Sequence, residues 1–221
     1  MYKVIIVLNK KEEISARSFQ EYWLTRNRDI ACRLPGLIRY CQSHTLLSAY
    51  KKMTPAADGI AEYWFETRDD YRDCENSKTF DDLQRDIQKF CAVEKNIRMI
   101  VREEVIKNRI VKMDGVKSIE FVTKKEGMKT EAFQKYWKEI HGPLGSSITH
   151  VNRYIQNHEV LESYNSLVQP NLDGLAITWF DSTQKMRESA LTQEYSNTRA
   201  DEENFLMTPL DFIITKEHVI I

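Results

Sequence analysis

The C-terminal half of the chain concentrates residues whose types and spacing suit acid/base chemistry. His141 stands in the string His141-Gly142-Pro143-Leu144, and Tyr154, Gln156 and His158 alternate along Arg153-Tyr154-Ile155-Gln156-Asn157-His158. Alternation by two places the last three on one face of a strand, where Tyr154 and Gln156 could hold a carbonyl or a phenol. Imidazoles titrate near neutral pH, which makes His141 and His158 candidates for moving a proton. Glu120, in a largely apolar setting, would have a raised pKa and could shuttle one. For each the bland alternative is concrete. His141, followed by Gly142 and Pro143, is expected at a helix C-terminus, where the dipole favours the imidazolium and a histidine can simply cap free carbonyls. His158 could be a scaffold hydrogen bond, and Glu120 a strand-end residue reaching solvent.

Other site chemistries find no support. No His, Cys or carboxylate cluster has metal-ligand spacing, no glycine-rich phosphate loop is present, and no serine sits in a nucleophile elbow. Cys32, Cys41, Cys74 and Cys91 are irregularly spaced and form no C-x-x-C pair, so reduced structural thiols in a cytoplasmic protein are expected. Lys plus Arg number 32 against 33 Asp plus Glu, which leaves no cationic surplus for a nucleic-acid partner. No apolar run approaches the roughly 20 residues of a membrane span. The start, Met1 to Leu8, reads as a strand rather than a signal peptide.

The elements that must position these residues come in duplicate. Phe19-Gln20-Glu21-Tyr22-Trp23 recurs as Phe133-Gln134-Lys135-Tyr136-Trp137, and at the same offset Arg39-Tyr40-Cys41-Gln42-Ser43-His44 matches Arg153 to His158. Asp58-Gly59-Ile60-Ala61-Glu62-Tyr63-Trp64-Phe65 answers Asp173 to Phe180, with five of the eight positions identical. Two repeats are therefore expected over residues 1–107 and 117–221, joined by a polar segment holding the turn signal Asp114-Gly115. Each reads as strand, amphipathic helix, two strands, helix and closing strand. That is the βαββαβ order of a ferredoxin-like unit, so the fold class is α+β. Such a unit leaves one sheet face open, and two repeats packed sheet to sheet into an intrachain α/β barrel would cover both. On this reading Ile119, Phe121 and Ile155 face the helices, while Glu120, Tyr154, Gln156 and His158 line a lumen.

The combination of Tyr136-Trp137, His141-Gly142-Pro143-Leu144 and Arg153-Tyr154-Ile155-Gln156-Asn157-His158 resembles the EthD family, a branch of the dimeric α/β-barrel superfamily. The first repeat shares Tyr22-Trp23 and Arg39-Tyr40-x-Gln42-x-His44, but has Asn27-Arg28-Asp29 where the second has His141-Gly142-Pro143. The resemblance implies an intrachain pseudo-dimer or a homodimer. It also implies kinship with cofactor-free cyclases, decarboxylases, dehydratases, isomerases and monooxygenases on small organic compounds, and with some haem enzymes. Fold does not choose among these.

Two functions follow. One is a cofactor-free lyase or isomerase performing acid/base chemistry on a small, partly hydrophobic carbonyl compound of polyketide or aromatic type. His141, His158 and Glu120 would be catalytic, and Tyr154, Gln156, Tyr136, Trp137, His44 and Tyr40 would bind substrate, with no metal and no cofactor. The alternative is an accessory protein that holds such a ligand without turning it over. Because only the second repeat has His141 and Glu120, with Asn27 and Ile6 standing in the first, one competent pocket per chain is expected.

Overall fold

A computed structural model describes residues 1–51 and 53–221. Among these the secondary structure is α+β, and each half runs through the same succession of elements. The first half has strands β1 (Tyr2–Leu8), β2 (Leu37–Thr45), β3 (Gly59–Phe65) and β4 (Ile97–Asn108), with helices α1 (Ala16–Tyr22), α2 (Arg28–Ala31), α3 (Arg68–Glu75) and α4 (Lys78–Phe90). The second has β5 (Val116–Val122), β6 (Arg153–Glu159), β7 (Gly174–Phe180) and β8 (Phe212–Val219), with α5 (Thr130–Tyr136), α6 (Gly142–Ser147), α7 (Thr183–Ser189) and α8 (Gln193–Glu202). No helix of the described residues is long and apolar enough to cross a membrane.

The chain divides into two compact units, residues 1–100 with 217–221, and residues 101–216. In the first, β3 lies between β1 and β2 in antiparallel register, and Tyr40 pairs its backbone with Ile220 and Ile221. In the second, β5 pairs with both β7 and β8, β7 with β6, and β6 with residues 101–108 of β4. The closing strands are longer than their polar sequences suggest, because Arg102-Glu103-Glu104 alternates along a strand instead of marking a loop. A short helix precedes the last one in both units. Thr67 and Asp70 form a capping box at the start of α3, and Ser182 caps α7.

The helix after the first strand of the second unit does not stop where Gly142 and Pro143 suggest, and its counterpart in the first unit has the same form. A single π turn covers Trp23–Asn27 between α1 and α2, and another covers Trp137–His141 between α5 and α6. The Gly142 amide donates to the Trp137 carbonyl, five residues back, and Pro143 then sits in the first turn of α6, where its missing N–H costs least. His141 is therefore inside a continuous helical run and is not a C-terminal cap. The dipole argument for a charged imidazole does not apply.

The indole of each π turn packs against a glycine of the sheet, which makes room for it. A Cβ on Gly174 would come within 2.5 Å of the Trp137 ring and 2.6 Å of the Asn157 carbonyl oxygen. The first unit repeats the arrangement with Gly59 under Trp23. Gly174→Ala should therefore cost about 1–3 kcal/mol of stability through overpacking against backbone, seen as a lowered denaturant midpoint. An unchanged midpoint would mean that the indole shifts freely.

Candidate active site

Cross-strand register fixes which side chains share a face. Ser118 lies opposite Thr178 and Thr178 opposite Tyr154; Glu120 lies opposite Ala176 and Ala176 opposite Gln156. Both rows face the helices of the second unit, while Ile119, Ile155 and Ile177 are buried on the other face. This inverts the facing expected from the sequence. Period-two alternation says which residues go together but not which way they point, and here the polar row is needed on the helix side. Trp137 donates its indole N–H to the Tyr154 hydroxyl at 3.2 Å, and Gln156 donates to the Trp137 carbonyl at 2.8 Å.

Between this face and the helices lies a cavity of about 230 Å3. Ile148, Val151, Phe180, Met186, Phe212 and Ile214 give it apolar walls, and Arg187 stands exposed among its lining residues. Its polar groups fall into two sets. In the first, His141 Nδ1 is 2.9 Å from Asp201 Oδ2, while the other oxygen of Asp201 accepts from the Tyr136 hydroxyl at 2.7 Å and from Asn204 at 3.1 Å. Asp201 thus takes the Nδ1–H and leaves Nε2 as the ring nitrogen available to a ligand. Burial holds the His141 pKa below its ordinary value against the opposing pull of Asp201, so the ring is neutral at pH 7. Burial also pushes Asp201 up, but hydrogen bonds from Tyr136, His141 and Asn204 outweigh it and keep the carboxyl ionised. An ionised aspartate behind a neutral imidazole fixes its tautomer and stabilises the imidazolium formed when Nε2 takes a proton.

In the second set, one nitrogen of Arg199, Nη1, meets Glu120 Oε1 at 3.1 Å and Glu202 Oε1 at 2.9 Å. The Tyr195 ring lies against the guanidinium at 5.9 Å. Glu120 lies deep in the unit yet keeps 28% of its side chain accessible, towards the cavity. Burial raises its pKa, with Arg199 pulling the other way. Glu202 is pushed up to about 8 by burial and by the neighbouring Glu120 charge, again against Arg199. Tyr154 lines the same space. Its oxygen accepts from both Trp137 and Gln156, which leaves its own proton to donate.

The other residues singled out from the sequence stand behind this wall. Gln156, His158, Trp137 and Tyr136 do not line the cavity. Gln156 spends its amide on Trp137 and Tyr154, so its Oε1 accepts from His158 Nε2 at 3.0 Å, and the His158 ring packs on Trp137 at 4.3 Å. That bond fixes the tautomer and leaves His158 Nδ1 buried without a partner. Burial, aided by the Arg102 and Lys138 charges, takes the His158 pKa down to about 3. The first unit builds the same chain: Trp23 to Tyr40, Gln42 to Tyr40 and the Trp23 carbonyl, and His44 to Gln42 at 2.8 Å. His44 and Tyr40 belong to that copy. The network is built alike in both units and ties each π turn to its second strand.

The two units differ in what fills the matching space. In the first, Val4, Ile6, Tyr63, Leu83, Gln84 and Ile87 stand where the second has Ser118, Glu120, Thr178, Thr198, Arg199 and Glu202, and a void of only about 40 Å3 is left. Tyr63 stacks on Tyr40 at 4.6 Å, occupying volume that Thr178 leaves open. The hydrogen-bond frame is nonetheless kept: Tyr22 donates to Asp86 at 2.7 Å, and Asn27 Nδ2 donates to the other oxygen at 3.0 Å. Asn27 copies what His141 Nδ1 does, but its other polar atom, Oδ1, lies buried without a partner and no ring nitrogen stands in place of Nε2. Arg199, Asp201 and Glu202 escaped the sequence reading because polar residues on a helix read as a solvated face. The signal was available at an offset of 115, where Leu83, Gln84 and Ile87 line up with Thr198, Arg199 and Glu202.

Comparison with known proteins agrees with this duplication. A family model described as the EthD domain matches residues 11–94 and again residues 125–209. No curated protein matches the chain. Among solved structures, an anthrone oxidase-like protein is similar at 6% identity and a TM-score of 0.66, covering 99% of this chain and 93% of that one. A candidate monooxygenase from Lactobacillus acidophilus NCFM is similar at 14% identity and a TM-score of 0.60, covering 98% and 93%. A variant of chlorite dismutase from Candidatus Nitrospira defluvii follows at 7% identity and a TM-score of 0.50, covering 97% and 90%. At these identities the likeness is one of fold.

Proposed function

The chain belongs to the EthD domain family, and we propose that its second repeat is a cofactor-free acid/base catalyst acting on a small, partly hydrophobic carbonyl compound. The observation that carries this reading is His141, a neutral imidazole at the cavity with Nδ1 committed to Asp201 and Nε2 uncommitted. In this role Nε2 removes a proton from the carbon beside the carbonyl, and the C–H electron pair moves onto the carbonyl oxygen. Tyr154 donates a hydrogen bond to that oxygen, and Glu120, held by Arg199, orients the ligand. Return of the proton to the same carbon is exchange, and its return elsewhere is isomerisation. Loss of a β-hydroxyl from the same enolate, with the imidazolium returning its proton to the departing oxygen so that water leaves, is dehydration. None of these consumes a co-reactant.

Size narrows the substrate. Drug-sized ligands occupy pockets of roughly 300–1,000 Å3, so a cavity of about 230 Å3 suits a compact molecule of one or two fused rings and does not fit a porphyrin. The test is isotopic. In D2O the protein should accelerate α-hydrogen exchange in a small enolisable ketone such as 2-tetralone, read by loss of the α-proton NMR signal. Binding without exchange above the buffer rate would instead favour the accessory-protein reading.

A further inference from the structure

We propose that the Glu120–Arg199–Glu202 trio makes the polar wall of the second-repeat cavity electrically neutral, so that the site takes an uncharged cyclic ketone and rejects carboxylic acids and amines of the same size. The inference rests on reading that cavity as the ligand site. It begins from geometry: two carboxylates converge on one nitrogen of one guanidinium, at 3.1 and 2.9 Å, in a part of the unit where the Glu202 side chain is only 4% exposed. One cation in a poorly solvated space can neutralise one carboxylate. The second is then held as the acid, as happens whenever like charges are forced to share a site. Glu202 is the one that keeps the proton. Its side chain is 4% exposed against 28% for Glu120, and it faces the Glu120 charge from β5 and the Asp201 carboxylate beside it on α8.

The remaining groups around Glu202 do not alter the balance. Asp201 keeps its charge but stands behind His141 and Tyr136 and does not line the cavity, and His141 is neutral. Tyr154 and Tyr195 keep their protons, since burial raises both. Arg187 is exposed, where solvent screens it. A carboxylate ligand entering this space would find its cation already bound twice, and an ammonium ligand would find one of its two acids protonated. A ketone oxygen loses least, because Tyr154 and the Glu202 acid can both donate to it. The first repeat has Ile6, Gln84 and Ile87 at the three positions and makes no such device.

Three probes on one skeleton decide the matter: 2-tetralone, 1,2,3,4-tetrahydro-2-naphthoate and the 2-aminotetralin cation, titrated into the full chain at pH 7 by tryptophan fluorescence. The ketone should bind about tenfold or more tighter than either ion, the scale set by burying an uncompensated charge. The Glu120→Gln/Glu202→Gln double variant leaves Arg199 without a counter-charge, and its preference should turn to the carboxylate. If that variant does not fold, wild-type chain supplies an independent reading. Its ketone affinity should fall severalfold between pH 7 and 9 as Glu202 ionises, and the Glu202→Gln variant should lose that dependence. Equal affinity for the three probes, preference for either ion, binding of none, or a Glu202→Gln variant with the wild-type pH profile would each overturn the proposal. Ketone preference without isotope exchange would leave it standing while sinking the catalytic reading.

Discussion

His141→Asn should fold, bind a ketone, and exchange its α-protons about 100- to 10,000-fold more slowly than wild type, the range a general acid or base contributes. Asparagine is the informative choice because the first repeat already uses it. Asn27 donates to Asp86 at 3.0 Å within the same Tyr–Asp frame, so the substitution keeps Asp201 satisfied and removes Nε2, adding an Oδ1 that in the first repeat is buried without a partner. His141→Ala would strip Asp201 of a partner and confuse catalysis with stability. The rate is measured in D2O by NMR and the fold by thermal melting, with a shift of only a few degrees expected. A folded asparagine variant exchanging at the wild-type rate would remove His141 from the chemistry and pass the proton to Glu120.

The second large effect is on stability in acid. His44 and His158 are each pushed down to about 3, both chiefly by burial, with His218 adding to the effect at His44 and Arg102 and Lys138 at His158. In the unfolded chain a histidine binds its proton below about pH 6.5, whereas these two refuse it until about pH 3. Between those limits the unfolded state holds more protons, so stability falls as pH drops from 6.5 towards 3. At pH 5 the loss is about 2 kcal/mol for each histidine, at 1.36 kcal/mol per pKa unit. Glu202 works in the opposite direction. Its raised pKa means that the folded state holds the extra proton between about 4.5 and 8, so its burial costs less as pH falls. The histidine contribution is therefore read as a difference. A His44→Gln/His158→Gln chain should be less stable than wild type at pH 7 and should lose less stability between pH 7 and 5. Parallel lines of denaturant midpoint against pH would show that the histidines are not held neutral.

Much of this molecule was legible in its sequence, and what was hidden has physical causes. The duplication showed because the Trp of Tyr-Trp, the Tyr-x-Gln-x-His of the second strand and the glycine of Asp-Gly are pinned by one mechanism in each repeat: an indole on a glycine, with its N–H and carbonyl satisfied from the second strand. Those constraints are local and leave identities behind. The facing of Glu120 and Tyr154 was misread because polarity was taken to mean distance from the helices. The true determinant was a hydrogen-bond demand created by a π turn that no propensity announces. Pro143 concealed that turn, since proline after glycine ordinarily ends a helix. Arg199 and Glu202 belong to a helix whose charged side turns inward, which only comparison with α4 of the same chain discloses.

The claim on which everything else depends is that the ligand enters the second-repeat cavity. Methyl-resolved NMR during titration with 2-tetralone tests it most directly. Met186, Ile148 and Ile214 line that cavity, whereas Val4, Ile6 and Leu83 line the small void of the first repeat. Saturable shifts at the first three methyl groups, with the other three unmoved, are the predicted result. Shifts centred on Val4, Ile6 and Leu83, or no saturable shifts at Met186, Ile148 and Ile214, would contradict it.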